Sequence, residues 1–437
     1  MSLSAREAVL KLLNDTEIKG LQSGSCVERL NSDFGLDDKD SAFAVNIYLG
    51  CIQFKYRIDS YINACSDIAP AKIDLGVRNI LRMAVYQMLW LDRVPVHAAV
   101  DEAVKLCRKY NPRAASFTNA VLRHISSIKD RLPAFTGDAS ERLAVEYSTE
   151  SWFAEYLIGS LGESSAEAFL AESNKPAPLS LRINTVKISS EEYKELLNLN
   201  GIPFREHTFE ALVLADRRDV KEFPGFKEGF FFIQDPAAAM CTGIAGVEPG
   251  MKILDACSSP GGKSFSTAIE MNNTGSILAC DISGKKTEKV RAGAERLGLD
   301  IISCSVQDAR NYNEEMDSSF DIVLADVPCS GLGVLRKKPE IKYKTRDEIS
   351  ALPEIQKNII DNLSRYVKPG GILLYSTCTV LREENEDVVD GFLSEHKGFT
   401  ACDFDFCGIS SDKGMYTFLP HIDGTDGFFA AKLKRVK

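Results

Sequence analysis

Between residue 4 and about residue 127, apolar residues recur at helical spacing, most regularly at Val77, Ile80, Leu81, Ala84, Val85, Met88 and Leu89. That is the period of helices with one buried face. Breaks at 31–39 and at Arg93–Val94–Pro95 interrupt it, so 1–127 is predicted as an all-α domain of several helices. Residues 128–145, with Pro133, Gly137 and several polar side chains, read as a linker. From 146 to 240 the pattern is mixed: strand-like LSLRINTV at 179–186, helix-like SSEEYKELLNLNG at 189–201, and short apolar runs at 210–214 and 230–234. This predicts a small α+β subdomain. From 241 to 437 apolar runs at 251–256, 275–281, 301–306, 320–326 and 370–376 alternate with helical segments, the mark of an α/β domain with a doubly wound, Rossmann-like sheet.

In such a sheet, side chains at the carboxyl ends of the strands project into the crevice where ligands bind. Two cysteines fall there: Cys329 in FDIVLADVPCSG and Cys378 in GGILLYSTCTV. A third unit, MKILDACSSPGGKS, places the glycine-rich loop Cys257, Ser258, Ser259, Pro260, Gly261, Gly262 and Lys263 after the first strand. Asp281 ends the next strand, where a carboxylate can accept both ribose hydroxyls of a nucleoside cofactor. Asp308 follows the third strand and is placed to meet an adenine edge. Together these residues suggest a cofactor-dependent enzyme with a cysteine nucleophile.

Composition narrows the setting. The 437 residues are 44% hydrophobic, enough for two or three domains with their own cores. No apolar run approaches a membrane span, and MSLSAREAVLKLL lacks the order of a secretion signal, which predicts a cytoplasmic protein without membrane contact. Twelve cysteines without a C-x-x-C pair suggest reduced thiols and no metal site. The net charge of −10 argues against nonspecific nucleic-acid binding, but the distribution is uneven. Lys72 to Arg131 carries eleven basic residues against five acids, and Arg336, Lys337, Lys338, Lys342, Lys344 and Arg346 follow Cys329. Their joint placement favours an anionic polymer, and Arg182 and Asn184 on the strand 179–186 read either as polar contacts to RNA or as strand-edge residues paired with a neighbour.

The loop also approaches the P-loop pattern, with Gly262, Lys263 and Ser264 in place and Asp326 available for Mg²⁺. A nucleotide hydrolase is therefore an alternative. Cys257 stands where the first P-loop glycine belongs, and Pro260 lies within the turn.

The strings DACSSPGGKS, ADVPCSGLGVLRKKPEIKY and YSTCTVLREENE closely resemble the Sun/nucleolar-protein family of S-adenosylmethionine-dependent RNA cytosine-C5 methyltransferases. ILRMAVYQMLWLDRVPVHAAVDEAVKL, followed by SFTNAVLRHI, resembles the helical domain of the NusB family, which implies RNA binding. Departures are small: Ser258 and Ser259 replace alanines, Ser264 replaces threonine and Tyr343 replaces tryptophan. The resemblance implies S-adenosylmethionine as cofactor, 16S ribosomal RNA as substrate and 5-methylcytosine as product. It implies Cys378 as nucleophile, Asp326 on the pyrimidine N3 edge and beside the cofactor, and Cys329 assisting release. A NusB-like binding factor with a vestigial methyltransferase fold is a second alternative. The oligomeric state stays open, with a monomer as the working expectation.

Overall fold

The computed structural model describes residues 3–132, 135, 137–214 and 219–437, and Pro133 of the expected linker lies outside them. The chain forms two compact units, Met1–Lys175 with Leu335–Arg346, and Pro176–Val334 with Asp347–Lys437.

The first unit is helical. Helices Ala5–Lys19, Asp38–Gln53, Leu75–Trp90, Val96–Tyr110 and Ala115–Ile128 surround one core. Leu75–Trp90 is its spine: Val77, Ile80, Leu81, Ala84, Val85 and Met88 are all buried, as the helical period requires. Gly50 permits this packing, because a Cβ there would lie 1.9 Å from the Tyr86 ring. Starts are marked by local chemistry, as where Ser4 and Glu7 form a reciprocal capping box. The expected linker ends in a helix, Ala139–Glu146, opened by a second capping box from Asp138 and Glu141. With Ser151–Leu161 and Glu163–Ser173 it extends the helical unit to residue 175.

The basic residues divide on burial. Of the Lys72–Arg131 group, Arg82 is buried against Asp59 and Glu17 and Arg78 pairs with Glu17, whereas Arg93, Arg108 and Arg113 are exposed. The cluster after Cys329 is not uniformly a surface for an anionic polymer, contrary to its charge pattern. Lys342 is buried, with Nζ donating to Gln53 O, Tyr147 O and Asn174 Oδ1 at 2.7, 3.2 and 2.6 Å. Its three partners are neutral oxygens, so burial pushes the Lys342 pKa well below the ordinary lysine value. Tyr343 donates to Ile52 O at 2.5 Å, and Lys344 O accepts from Trp152 Nε1 at 2.9 Å. Segment 335–346 is thus interior architecture of the helical unit, with Lys337, Lys338 and Arg346 exposed.

The second unit carries two main sheets. β1 (Leu179–Ile183), β2 (Phe204–Glu206), β3 (Ala211–Leu214) and β4 (Phe231–Ile233) form an antiparallel sheet in the order β2-β3-β1-β4. Its apolar side, with Leu181, Ile183 and Leu212, packs on Tyr193 and Leu197 of helix Ser190–Leu199. Arg182 and Asn184 are buried and serve the fold rather than an RNA surface. Arg182 pairs with Glu270 and lies 4.2 Å from the Phe209 ring centre, and Asn184 donates to Gly229 O and Leu297 O.

The larger sheet contains β5 (Lys252–Asp255), β6 (Ser276–Asp281), β7 (Ile302–Val306), β8 (Phe320–Asp326), β9 (Val367–Thr377), β10 (Phe399–Ala401), β13 (Met415–Phe418) and β14 (Phe428–Arg435). A two-residue hairpin, β11 (Asp405–Phe406) and β12 (Ile409–Ser410), stands apart. The main order is β10-β14-β9-β8-β5-β6-β7, with β13 on β14. β5 to β9 are mutually parallel, whereas β14 pairs antiparallel with β9. Ile253, Ile322 and Leu324 enter one core and Leu254, Val323 and Ala325 the other, because successive side chains alternate across a sheet. Helices Gly262–Glu270 and Gly284–Leu297 supply the first face, and Leu352–Ser364 and Glu386–Glu395 the second. Among the described residues, no helix is long and apolar enough to cross a membrane.

Lys342→Ala should leave three buried acceptors without a donor and lower stability by about 2–4 kcal/mol in urea denaturation. A loss below about 0.5 kcal/mol would assign the segment a surface role instead.

Candidate active site

Parallel pairing of β8 and β9 sets Asp326 opposite Ser376. Each strand then turns into a short loop carrying a cysteine, and the Cys329 and Cys378 sulfurs lie 3.1 Å apart. The Cys378 amide also donates to Cys329 Sγ at 3.3 Å. Both residues are half-buried. The hydrogen bond to Cys378, and then burial, push the Cys329 thiol well above its ordinary pKa.

Backbone proximity makes this contact possible. Gly333 N–H donates to Cys378 O and Gly427 N–H to Gly333 O, both at 2.9 Å. A Cβ on Gly333 would fall 2.0 Å from Gly427 O, so the loop after Cys329 fits only without a side chain there.

Asp326 accepts from Ser376 Oγ at 3.1 Å and pairs with Lys263 Nζ at 2.8 Å. The Lys263 side chain is 7% exposed and that of Asp326 32%, so the carboxylate meets solvent while the ammonium stands behind it. Burial alone would lower the Lys263 pKa, but Asp326 foremost among its neighbours carries it above the ordinary lysine value. The Phe428 ring centre lies 4.5 Å from the same nitrogen. This engagement opposes the P-loop alternative, whose lysine must reach a nucleotide phosphate.

The glycine-rich loop joins β5 to helix Gly262–Glu270. Ser258 N–H donates to Cys280 O at 2.8 Å and Gly261 N–H to Ser258 O at 2.7 Å, closing the turn. Gly261 has φ 113°, a left-handed conformation suited to glycine, and a Cβ there would meet the Phe265 ring at 2.3 Å. Gln234 supports the helix start, donating to Gly262 O at 3.0 Å and accepting from Ser266 Oγ at 2.6 Å. Burial pushes the Cys257 thiol upward, so it behaves as a small packed group. Ser258 is buried with its hydroxyl lacking a hydrogen-bond partner, whereas Ser259 is half-buried and Pro260 exposed.

Asp281 is buried at the end of β6, accepts from Ser283 N–H at 3.2 Å, and precedes the exposed Ile282. Asp308 lies two residues past β7, and hydrogen bonds from Arg310 hold its carboxyl below the ordinary range. The structure therefore brings Cys329 to Cys378 and, at the ends of the same two strands, Asp326 to Lys263 and Ser376, with the loop and Asp281 at adjacent strand ends. Asp308 is engaged by Arg310.

Asp255, Ser376, Gln356, Glu384 and Asn385 also surround the strand ends and are not among the residues expected above. Asp255 and Ser376 lie at strand ends inside recognised strings, and Glu384 and Asn385 lie inside REENE, so position could have raised them. Gln356 sits on an amphipathic helix, and nothing in its surroundings marks it.

Asp255 is fully buried, accepts from Ser264 Oγ at 2.6 Å and has no hydrogen-bond partner for Oδ1. Burial raises its pKa from 3.8 to about 7. A carboxyl with a raised folded value contributes stability that is complete below its unfolded pKa and is lost as pH rises through the folded one. Denaturation of wild type and Asp255→Asn should show the variant gaining about 1–4 kcal/mol relative to wild type between about pH 4 and about pH 8. A pH-independent difference would mean that Asp255 stays ionised in the fold.

Residues 245–434 match the family model described as 16S rRNA methyltransferase RsmB/F. Residues 3–127 match the NusB family, and 150–221 the ferredoxin-like domain of RsmF/B-like methyltransferases. A probable ribosomal RNA small subunit methyltransferase B of Bacillus subtilis is 32% identical over 450 residues, covering 99% of each chain. The ribosomal RNA small subunit methyltransferase B of Pseudomonas syringae is 33% identical over 410 residues, covering 91% of this chain and 90% of its own. Among solved structures, PH0851 superposes over the whole of both chains with TM-score 0.82 at 26% identity. A methyltransferase homolog from Pyrococcus horikoshii matches with TM-score 0.61 at 26% identity, covering 69% of this chain and all of its own. NSun6 from the same organism, solved with SFG, shares the fold at 22% identity and TM-score 0.57, over 65% of this chain and 97% of its own. With its three parts matched in order and a relative aligned from end to end, the chain belongs to the 16S rRNA methyltransferase RsmB/F family.

Proposed function

We propose that the protein methylates carbon 5 of a cytosine in 16S ribosomal RNA, with Cys378 as nucleophile and S-adenosylmethionine as methyl donor. The observation that carries this reading is the sulfur pair Cys329–Cys378 at 3.1 Å, beside an Asp326 held by Ser376 and Lys263.

The residues suit that cofactor. The crevice offers a turn around Gly261, a helix start at Gly262, the buried Ser258 hydroxyl lacking a partner, and a carboxylate at Asp281 beside an exposed apolar Ile282. The Cys257–Lys263 loop would hold its amino-acid portion and Asp281 its ribose. Asp308, already engaged by Arg310, would contribute to the adenine edge only as part of that pair. The bound cofactor supplies an electrophilic methyl group.

Carbon 5 of cytosine is a poor nucleophile. Addition of the Cys378 thiolate to carbon 6 would form an S–C bond and move the ring electron pair toward carbon 5, making that carbon nucleophilic enough to accept an electrophilic methyl group. A Cys329 thiol donating across the 3.1 Å contact to Cys378 Sγ would favour the thiolate there. Asp326 would face the N3 edge of the base and hold the proton that N3 takes up from solvent as negative charge develops there on addition, with Lys263 and Ser376 fixing the orientation of the carboxylate. After transfer the carbon-5 proton would pass to a water or another base, its electron pair would restore the C5–C6 double bond, and the S–C6 bond would break with its pair returning to Cys378. Cys329 is the adjacent group able to assist that release.

The target base must leave its stack to reach such a crevice. Exposed Arg93, Arg108 and Arg113 of the helical unit would meet RNA phosphates, contacts that position without reading sequence.

Transfer of tritiated methyl to unmethylated 16S ribosomal RNA, mapped by bisulfite sequencing, tests the reading. Cys378→Ala should lower turnover by at least about 10³-fold and form no covalent protein–RNA adduct. Cys329→Ala should accumulate that adduct. Identical behaviour of the two variants, without adduct, would overturn the assignment. Failure of wild type to methylate naked or subunit-bound RNA would overturn the activity.

A further inference from the structure

Glu384 and Asn385 are consecutive, nearly inaccessible at 1% and 0% exposure, and contribute nothing to the chemistry described above. Each brackets one of the two cysteines. Glu384 Oε2 accepts from Ser330 N–H at 2.9 Å and from Gln356 Nε2 at 2.8 Å. The same Gln356 nitrogen donates to Pro328 O at 3.0 Å. The backbone is thus held immediately before and after Cys329. Asn385 does the same for the other sulfur: its Oδ1 accepts from Thr377 Oγ1 at 2.6 Å, and its Nδ2 donates to Thr379 O at 3.1 Å.

Two further bonds close the frame. Ser330 Oγ and Thr379 Oγ1 lie 2.8 Å apart, linking the residues that follow the two cysteines, and Tyr375 of β9 donates to Glu384 O at 2.6 Å. A buried carboxylate costs free energy unless its bonds are specific, and here they go to the backbone and to the glutamine that flank one cysteine.

We propose that Glu384 and Asn385 are positioning residues that divide the labour of the site, Glu384 fixing the Cys329 turn and Asn385 the Cys378 turn. Because they are joined by one peptide bond, they fix the spacing between the two sulfurs. The inference rests on the roles proposed above for Cys378 and Cys329. It predicts that the two halves of the reaction fail separately. Loss of the Glu384 bonds displaces Cys329 and slows release, whereas loss of the Asn385 bonds displaces Cys378 and slows addition.

The test uses the full chain with S-adenosylmethionine and unmethylated 16S ribosomal RNA, reading kcat, KM and covalent adduct on denaturing gels. Glu384→Ala should reduce kcat by roughly 10²-fold at unchanged KM and accumulate adduct, as Cys329→Ala does. Asn385→Ala should reduce kcat similarly with little adduct, as Cys378→Ala does. Glu384→Gln should retain turnover within about threefold, because both donors converge on Oε2 while Oε1 has no hydrogen-bond partner. Should Glu384→Ala not fold, Glu384→Asp, shorter by one methylene, serves in its place with the same expected adduct. Diamide, which takes up the two electrons and two protons released as the thiols join, should form the Cys329–Cys378 disulfide several-fold more slowly in the displaced variants. Absence of adduct from Cys329→Ala would overturn the underlying reading. Adduct from Cys329→Ala, with Glu384→Ala and Asn385→Ala losing activity alike and forming disulfide at the wild-type rate, would overturn this inference.

Discussion

The parallel register of β8 with β9 is the constraint on which the site depends. Pairing Asp326 with Ser376 makes the two strands end side by side, so their following turns must share one small volume. Two cysteines 49 residues apart in sequence thereby reach 3.1 Å. A slip of one residue would turn Asp326 and Ser376 to opposite faces, because side chains alternate along a strand. The two apolar cores hold the register, since Val323 and Ala325 fit one face only while Ile322 and Leu324 fit the other.

Polar burial completes what register begins. Lys263 can be buried because Asp326 lies 2.8 Å away, and the carboxylate of that pair keeps its exposure to solvent. Glu384 accepts from the Ser330 amide, and Asn385 accepts from the Thr377 hydroxyl and donates to Thr379 O, so a few buried groups tie down the turn at each cysteine. Asp255, with burial raising its pKa to about 7, shows the opposite balance, in which desolvation outweighs its bond to Ser264. Interior polar groups are therefore as decisive here as the apolar cores.

Charge was the least faithful guide. Arg182, Lys342 and Arg82 are basic residues in segments that suggested a polyanion surface, yet each is interior and bonded to named partners. Long side chains with apolar stems can enter a core when acceptors await them, and local sequence does not reveal those acceptors. Gln53, Tyr147 and Asn174, the partners of Lys342, come from three places far from it in the chain. The linker expected over 128–145 ends in a helix for a related reason, since the Asp138–Glu141 capping box starts one directly after Gly137.

By itself the sequence determined the element types and the chemical inventory. Alternating apolar runs specify the parallel strands, helical spacing specifies the spine Leu75–Trp90, and the strand-end position of Cys329, Cys378, Asp326 and Asp281 was legible, because these signals are local and periodic. Tertiary structure alone decided which of those strand ends meet, that Lys263 serves Asp326, that Asp308 is held by Arg310, and that Glu384 and Asn385 frame the cysteines. It also added β14 antiparallel to β9, placing Gly427 against the loop after Cys329. These are contacts between residues distant in the chain, fixed by sheet order and desolvation, and no periodicity within a segment encodes them.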